Sequence, residues 1–151
     1  MGERLRRGFA WGLLATLAMT TLALLASATG LNPSPRPVPV ALAAWALGGA
    51  VPRPLLLALG MAAHFAYGGA AGALFAVMLR HRAGPLSGGV FGIVLWLGMG
   101  LFFLPLLHWG SFGREVGAHI GSATLLLHLV YGGVLGAGLR RRRGRPAPAG
   151  G

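Results

Sequence analysis

The chain reads as an all-α integral membrane protein: a four-helix bundle of two parallel helical-hairpin repeats, with one short interfacial helix. Three observations predict this. Of 151 residues, 55% are hydrophobic and only 10% charged, more apolar surface than a soluble domain of this size can hide in one core. Four stretches free of Arg, Asp and Glu are each long enough to cross a hydrocarbon layer of about 30 Å at about 1.5 Å per residue. One phrase occurs twice inside those stretches: His64-Phe65-Ala66-Tyr67-Gly68-Gly69-Ala70-Ala71-Gly72-Ala73 returns as His128-Leu129-Val130-Tyr131-Gly132-Gly133-Val134-Leu135-Gly136-Ala137.

Met1 to Arg7 is short and basic, with Arg4, Arg6 and Arg7, and the first span follows over 8–29. This start also fits a signal peptide, with Ala26-Ser27-Ala28 as a small-x-small cleavage site. The apolar run is longer than a usual h-region and has an internal counterpart, so a retained span is expected. Pro33, Pro35, Pro37 and Pro39 make 31–39 an extended connector. Residues 40–51 are apolar but too few to span, and Pro52 and Pro54 stop them. They predict an interfacial or re-entrant helix, with Trp45 at headgroup level.

The second span is 55–79, closed by Arg80, His81 and Arg82, and Ala83-Gly84-Pro85 turns the chain. The third span is 86–107, with a kink expected at Pro105. After a loop over 110–115 the fourth span is 116–139, which puts Glu115 at a helix N-terminus. The segment 1–139 is thus one transmembrane domain, and 140–151 a basic, disordered tail.

Arginine placement sets the orientation. Arg4, Arg6, Arg7, Arg80, Arg82, Arg140, Arg141, Arg142, Arg143 and Arg145 fall on one side, and Arg36, Arg53 and Arg114 on the other. Both termini are therefore expected in the cytoplasm, in a bacterial inner membrane. A reporter active only outside the membrane should give signal when fused at Ser34 or Ser111 and none at Gly84. Signal at Gly84 would contradict the four-span topology.

The net charge is +11, which raises nucleic acid as a partner. The Arg residues cap apolar segments instead of forming a basic face, so anionic lipid headgroups are the expected partner and nucleic acid is not. Arg80, Arg82, Arg140, Arg141, Arg142, Arg143 and Arg145 would meet those headgroups. With no cysteine, disulfides, thiolate catalysis and zinc-thiolate sites are excluded.

The repeat extends beyond the motif. Gly8-x-x-Trp11-Gly12 with Met19 matches Gly88-x-x-Phe91-Gly92 with Met99, so span one resembles span three and span two resembles span four. Residues four apart share a helix face. Gly60, His64, Gly68, Gly72 and Ala76 form one ribbon; Thr124, His128, Gly132, Gly136 and Arg140 form its counterpart; span one adds Gly8, Gly12, Thr16 and Thr20. Small residues at this spacing let helices approach closely in lipid. The motif His64, Tyr67, Gly68, Gly72 with His128, Tyr131, Gly132, Gly136 is thus expected to pack helices, bringing spans two and four together directly or through an intervening span. The phenols of Tyr67 and Tyr131 could hydrogen-bond the imidazoles across the seam.

A histidine inside a membrane is expensive and often functional. His64 and His128 could hold a b-type haem axially, although facing glycine ribbons would draw together the helices a haem keeps apart. A proton path lacks its usual carboxylates, since Glu3 and Glu115 both fall at membrane edges. His108 and His119 lack a third metal ligand. Hydrolysis is unexpected, because no buried carboxylate orients a histidine and no serine sits in a nucleophile elbow.

The His-x-x-Tyr-Gly-Gly-x-x-Gly pattern, with Gly12-Leu13-Leu14-Ala15-Thr16-Leu17-Ala18-Met19 on span one, resembles a broad group of small bacterial four-span inner-membrane proteins of unknown function. The resemblance implies the fold and the membrane, and carries no activity. The expected function is therefore structural: a non-enzymatic packing or accessory module of a membrane assembly, with other subunits or with copies of itself. The alternative is a haem- or quinone-associated electron-transfer subunit using His64 and His128. A small transporter comes third.

Overall fold

The computed structural model of the chain describes residues 1–32, 34–48, 51–79 and 82–140. These form five helices and no strand: α1 (Gly2–Ala28), α2 (Val38–Leu47), α3 (Arg53–Met78), α4 (Pro85–Leu106) and α5 (Ile120–Leu139). All but α2 are long and apolar enough to cross a membrane, so the chain is a multi-pass membrane protein.

Helix α1 starts at Gly2, ahead of its apolar run. Arginine and glutamate are good helix formers, and Glu3 lies in the first turn, where an anion suits the helix dipole. Hydropathy marks where the chain enters lipid, which is not where the helix begins. Helix α2 starts inside the expected connector, because Pro39 falls in its first turn, where a missing N–H costs nothing. Pro54 has the same place in α3. Gly84 precedes α4, and its N–H donates to Ser87 Oγ at 3.0 Å.

At Pro105 the structure shows a π-helical turn over Met99–Phe103. The proline ring clashes with the carbonyl four residues back, that of Leu101, and the wider turn contains this residue. The expected start of the fourth span is corrected. Helix α5 begins at Ile120, because the N–H groups of Val116 and Gly117 turn back to the carbonyl of Gly113 at 3.1 and 3.0 Å. Gly113 holds φ 77° there, a conformation that favours glycine. Glu115 is therefore not at a helix N-terminus; its N–H donates to the Trp109 carbonyl at 3.2 Å inside the loop.

Helix α1 packs along α3 and α4 along α5, giving two hairpins that meet mainly where α1 touches α5. The start of α1, the end of α3, the start of α4 and the end of α5 lie at one end of the bundle. Positions the repeat makes equivalent meet similar surroundings. Trp11 on α1 lies against Gly138 on α5, and Phe91 on α4 against Phe75 on α3, with ring centroids 5.2 Å apart. Ala15, Met19, Ala71, Phe75, Tyr131 and Leu135 form the core between the hairpins. A second cluster of Ala41, Met99, Leu104, Trp109 and Ile120 closes the opposite end.

The hairpins differ in the length of their connectors. Gly8 and Gly88 are 80 residues apart but His64 and His128 only 64, so the first connector is 16 residues longer. That connector carries α2, which lies on α3.

Candidate functional site

The glycine ribbons close each hairpin from within. A Cβ at Gly72 would lie 2.6 Å from the Cα of Gly12, and one at Gly8 would lie 2.9 Å from the Cα of Ala73. A Cβ at Gly12 would strike the Gly68 carbonyl, and one at Gly68 the Thr16 hydroxyl. In the second hairpin a Cβ at Gly88 would strike the Gly132 carbonyl, one at Gly136 the Gly84 carbonyl, and one at Gly92 the His128 carbonyl. Real Cβ atoms do not approach backbone so closely, and only hydrogen fits. Gly68 and Gly72 therefore face α1, and Gly132 and Gly136 face α4. The two ribbons do not face each other, because each helix closes on its neighbour in the chain.

The seams run from the end where α1 starts to the middle of the bundle. There the small residues give way to Thr16 and Thr20 on α1 and to His64 and Thr124 on α3 and α5. Beyond that level the hairpins part, and a cavity of about 470 Å³ opens between them. Its polar lining is Thr16, Thr20, His64, Tyr67, Thr124, His128 and Tyr131; Met19, Leu95, Met99 and Leu127 make the walls apolar. Leu42, Ala43 and Ala46 of α2 complete the wall, and Ser27, Asn32 and Ser34 lie at the far end. The volume falls within the range of small-molecule sites, about 300–1,000 Å³.

Gly60 docks α2. A Cβ there would lie 2.8 Å from the Pro39 oxygen and 2.9 Å from the Val40 Cα. The longer connector of the first hairpin thus supplies a wall of the cavity.

The hydrogen bonds decide which polar groups are free. Tyr131, 2% exposed, donates to the Gly68 carbonyl at 2.6 Å and ties α5 to α3. Its hydroxyl is therefore committed to backbone and not to an imidazole. Thr16 donates to the Gly12 carbonyl at 2.8 Å and Thr124 to the Ile120 carbonyl at 2.7 Å. The Thr20 hydroxyl is buried and has no partner among the described residues. Nδ1 of His128 lies 2.8 Å from the Thr124 carbonyl. A carbonyl only accepts, so Nδ1 carries the hydrogen, and in a neutral ring Nε2 is a bare acceptor. Tyr67 is 49% exposed, unlike its repeat counterpart Tyr131.

Among the described residues no Asp, Glu or Arg lines the cavity, and no three His, Asp or Glu side chains come together as a metal site would need. The arrangement can hold an uncharged molecule by apolar contact and a few hydrogen bonds. Of the headgroup arginines, Arg82 and Arg140 are exposed at the end where α1 starts; Arg7, outside that set, reaches the Gly138 carbonyl at 3.5 Å, near the C-terminus of α5. Arg80, Arg141, Arg142, Arg143, Arg145 and the expected tail lie outside the described residues.

The sequence pattern singled out His64, His128 and the glycines, and the structure brings both histidines to one cavity. It did not single out α2 or Gly60 as parts of a site. The signal was there for Gly60, which stands four residues before His64 on the same ribbon.

The chain belongs to a family of unknown function, DUF6789, whose model matches residues 3–149. No curated protein and no solved structure matches it.

Proposed function

We propose that this member of the family is a non-enzymatic membrane module that holds a small lipophilic molecule between two glycine-sealed hairpins. The packing role of the motif glycines belongs to the same reading: they make each hairpin rigid and end where the cavity begins. The observation that carries the reading is the cavity itself, with both motif histidines at its inner end and α2 as an added wall. A bundle selected only for packing would continue the small residues and close this space, because voids lose dispersion contacts. The arginine bias supports insertion with both termini in the cytoplasm, against anionic headgroups.

Native mass spectrometry of the protein released from detergent tests the reading. Wild type is expected to carry a small-molecule mass excess, and Ala123→Phe, which fills the cavity from α5, to lose it. A wild-type protein as bare as the variant would overturn the reading.

A second reading is a b-type haem between His64 and His128. The tie from Nδ1 of His128 to the Thr124 carbonyl favours it, because a ligating histidine holds its other nitrogen this way. The objection from facing glycine ribbons falls away, since the ribbons face α1 and α4. Protein incubated with haemin should then show a Soret band that His64→Leu and His128→Leu each abolish. Identical spectra for wild type and variants would rule it out.

A further inference from the structure

Among the described residues His64 and Tyr67 on α3 make no side-chain hydrogen bond, and two further polar groups in the cavity are left without partners, one on each hairpin. The first is Thr20 on α1. Thr16 and Thr124 each turn the hydroxyl back to a carbonyl four residues earlier, as helical threonines commonly do. Thr20 does not, and its oxygen is buried without a hydrogen bond among the described residues. The second is Nε2 of His128 on α5, opposite the nitrogen that donates to Thr124. Both residues line the same cavity, and α1 and α5 are the helices through which the hairpins meet. A polar group without a partner is costly in an apolar space, so a molecule that satisfies both groups gains over one that satisfies neither.

We propose that the cavity takes an uncharged lipophile with a hydroxyl head, whose O–H donates to Nε2 of His128 and whose oxygen accepts from Thr20. This rests on the binding reading above and names its ligand chemistry. Those two groups together select against other head groups. A carboxylate or an ammonium would enter an apolar space with no Asp, Glu or Arg in its lining among the described residues. An ether or a ketone could accept from Thr20 but would leave Nε2 unpaired. A hydrocarbon would satisfy neither group. One hydroxyl supplies the donor and the acceptor together. Met19, Leu95, Met99 and Leu127 then surround the apolar body.

The test uses the full chain, purified and stripped of lipid, with three probes: decylhydroquinone kept reduced, its dimethyl ether, and dodecanol. Decylhydroquinone is expected to bind wild type about tenfold more tightly than the ether, which one lost hydrogen bond of about 1.4 kcal/mol gives. The ratio should fall to about one in His128→Leu. Thr20→Val should weaken decylhydroquinone several-fold; it is nearly isosteric and loses no hydrogen bond within the protein, so it keeps the test valid if His128→Leu fails to fold. Dodecanol matching decylhydroquinone supports the hydroxyl and assigns it an aliphatic carrier, whereas weaker binding supports it and assigns a phenolic one. Equal affinity for decylhydroquinone and its ether in wild type overturns this inference. If Ala123→Phe still abolishes that binding, the binding reading survives alone. No binding of any probe overturns both.

Discussion

Gly132→Leu is expected to be among the harshest single changes in the protein, lowering its stability in detergent by about 1–3 kcal/mol or more, as overpacking does. A Cβ at this position would strike the Gly88 carbonyl and lie 2.7 Å from the Gly88 carbonyl carbon. Both are backbone atoms in the first turn of α4, so no rotamer relieves the clash and α4 has to move away from α5. The neighbouring residue is the control. A Cβ at Gly133 meets nothing within 4 Å, and Gly133→Ala should leave stability unchanged or raise it by up to about 1 kcal/mol, as alanine does in an open helical site. His128→Gln removes one intramembrane hydrogen bond, to the Thr124 carbonyl, and should cost about 1 kcal/mol. Thermal unfolding of the three variants reads the order. A harsher effect from His128→Gln than from Gly132→Leu would show that the motif is organised around the histidine and not around the seam.

Gly60→Leu should have a different signature: loss of the bound molecule with the four spans intact. The added side chain would meet the Pro39 oxygen and the Val40 Cα, both on the backbone of α2. Helix α2 is short and rests on α3 outside the glycine seams, so displacing it leaves Gly8, Gly12, Gly68 and Gly72 in place. It does remove Leu42, Ala43 and Ala46 from the cavity wall. The small-molecule mass excess should disappear, a protease should gain a cut in the connector, and the melting temperature should fall less than in Gly132→Leu. A Gly60→Leu protein that keeps its ligand would show that α2 is not part of the site.

The spans were legible in the sequence because lipid enforces length and apolarity on each helix independently. Their ends were less so. Arg4, Arg6 and Arg7 are polar yet helical in α1. Val116 and Ala118 are apolar yet lie ahead of α5, where Gly110, Gly113 and Gly117 let the loop fold on itself. The four-residue spacing showed which face of α3 and α5 is narrow, but a ribbon of small residues does not name its partner. Here Gly68 and Gly72 meet Gly8 and Gly12, so spans two and four come together chiefly through the intervening α1, with shared core residues and the bond from Tyr131 to the Gly68 carbonyl as the direct ties. The cavity was illegible for a related reason. It depends on where two seams stop and on a connector helix that fills only part of the gap. The Thr line on α1 was visible as a continuation of the seam, whereas Thr20 lies where the seam has already opened.

The open space between the hairpins is tested most directly by filling it in the ligand-stripped protein. Ala123 lines the cavity, and Leu126, one turn further along α5, is 56% exposed toward lipid. Thermal unfolding should show Ala123→Phe more stable than wild type by about 0.5–2 kcal/mol, the usual gain from filling a void, with Leu126→Phe unchanged. A clear loss of stability in Ala123→Phe, with Leu126→Phe still neutral, would mean that α5 already packs tightly at that face and that no cavity separates the hairpins.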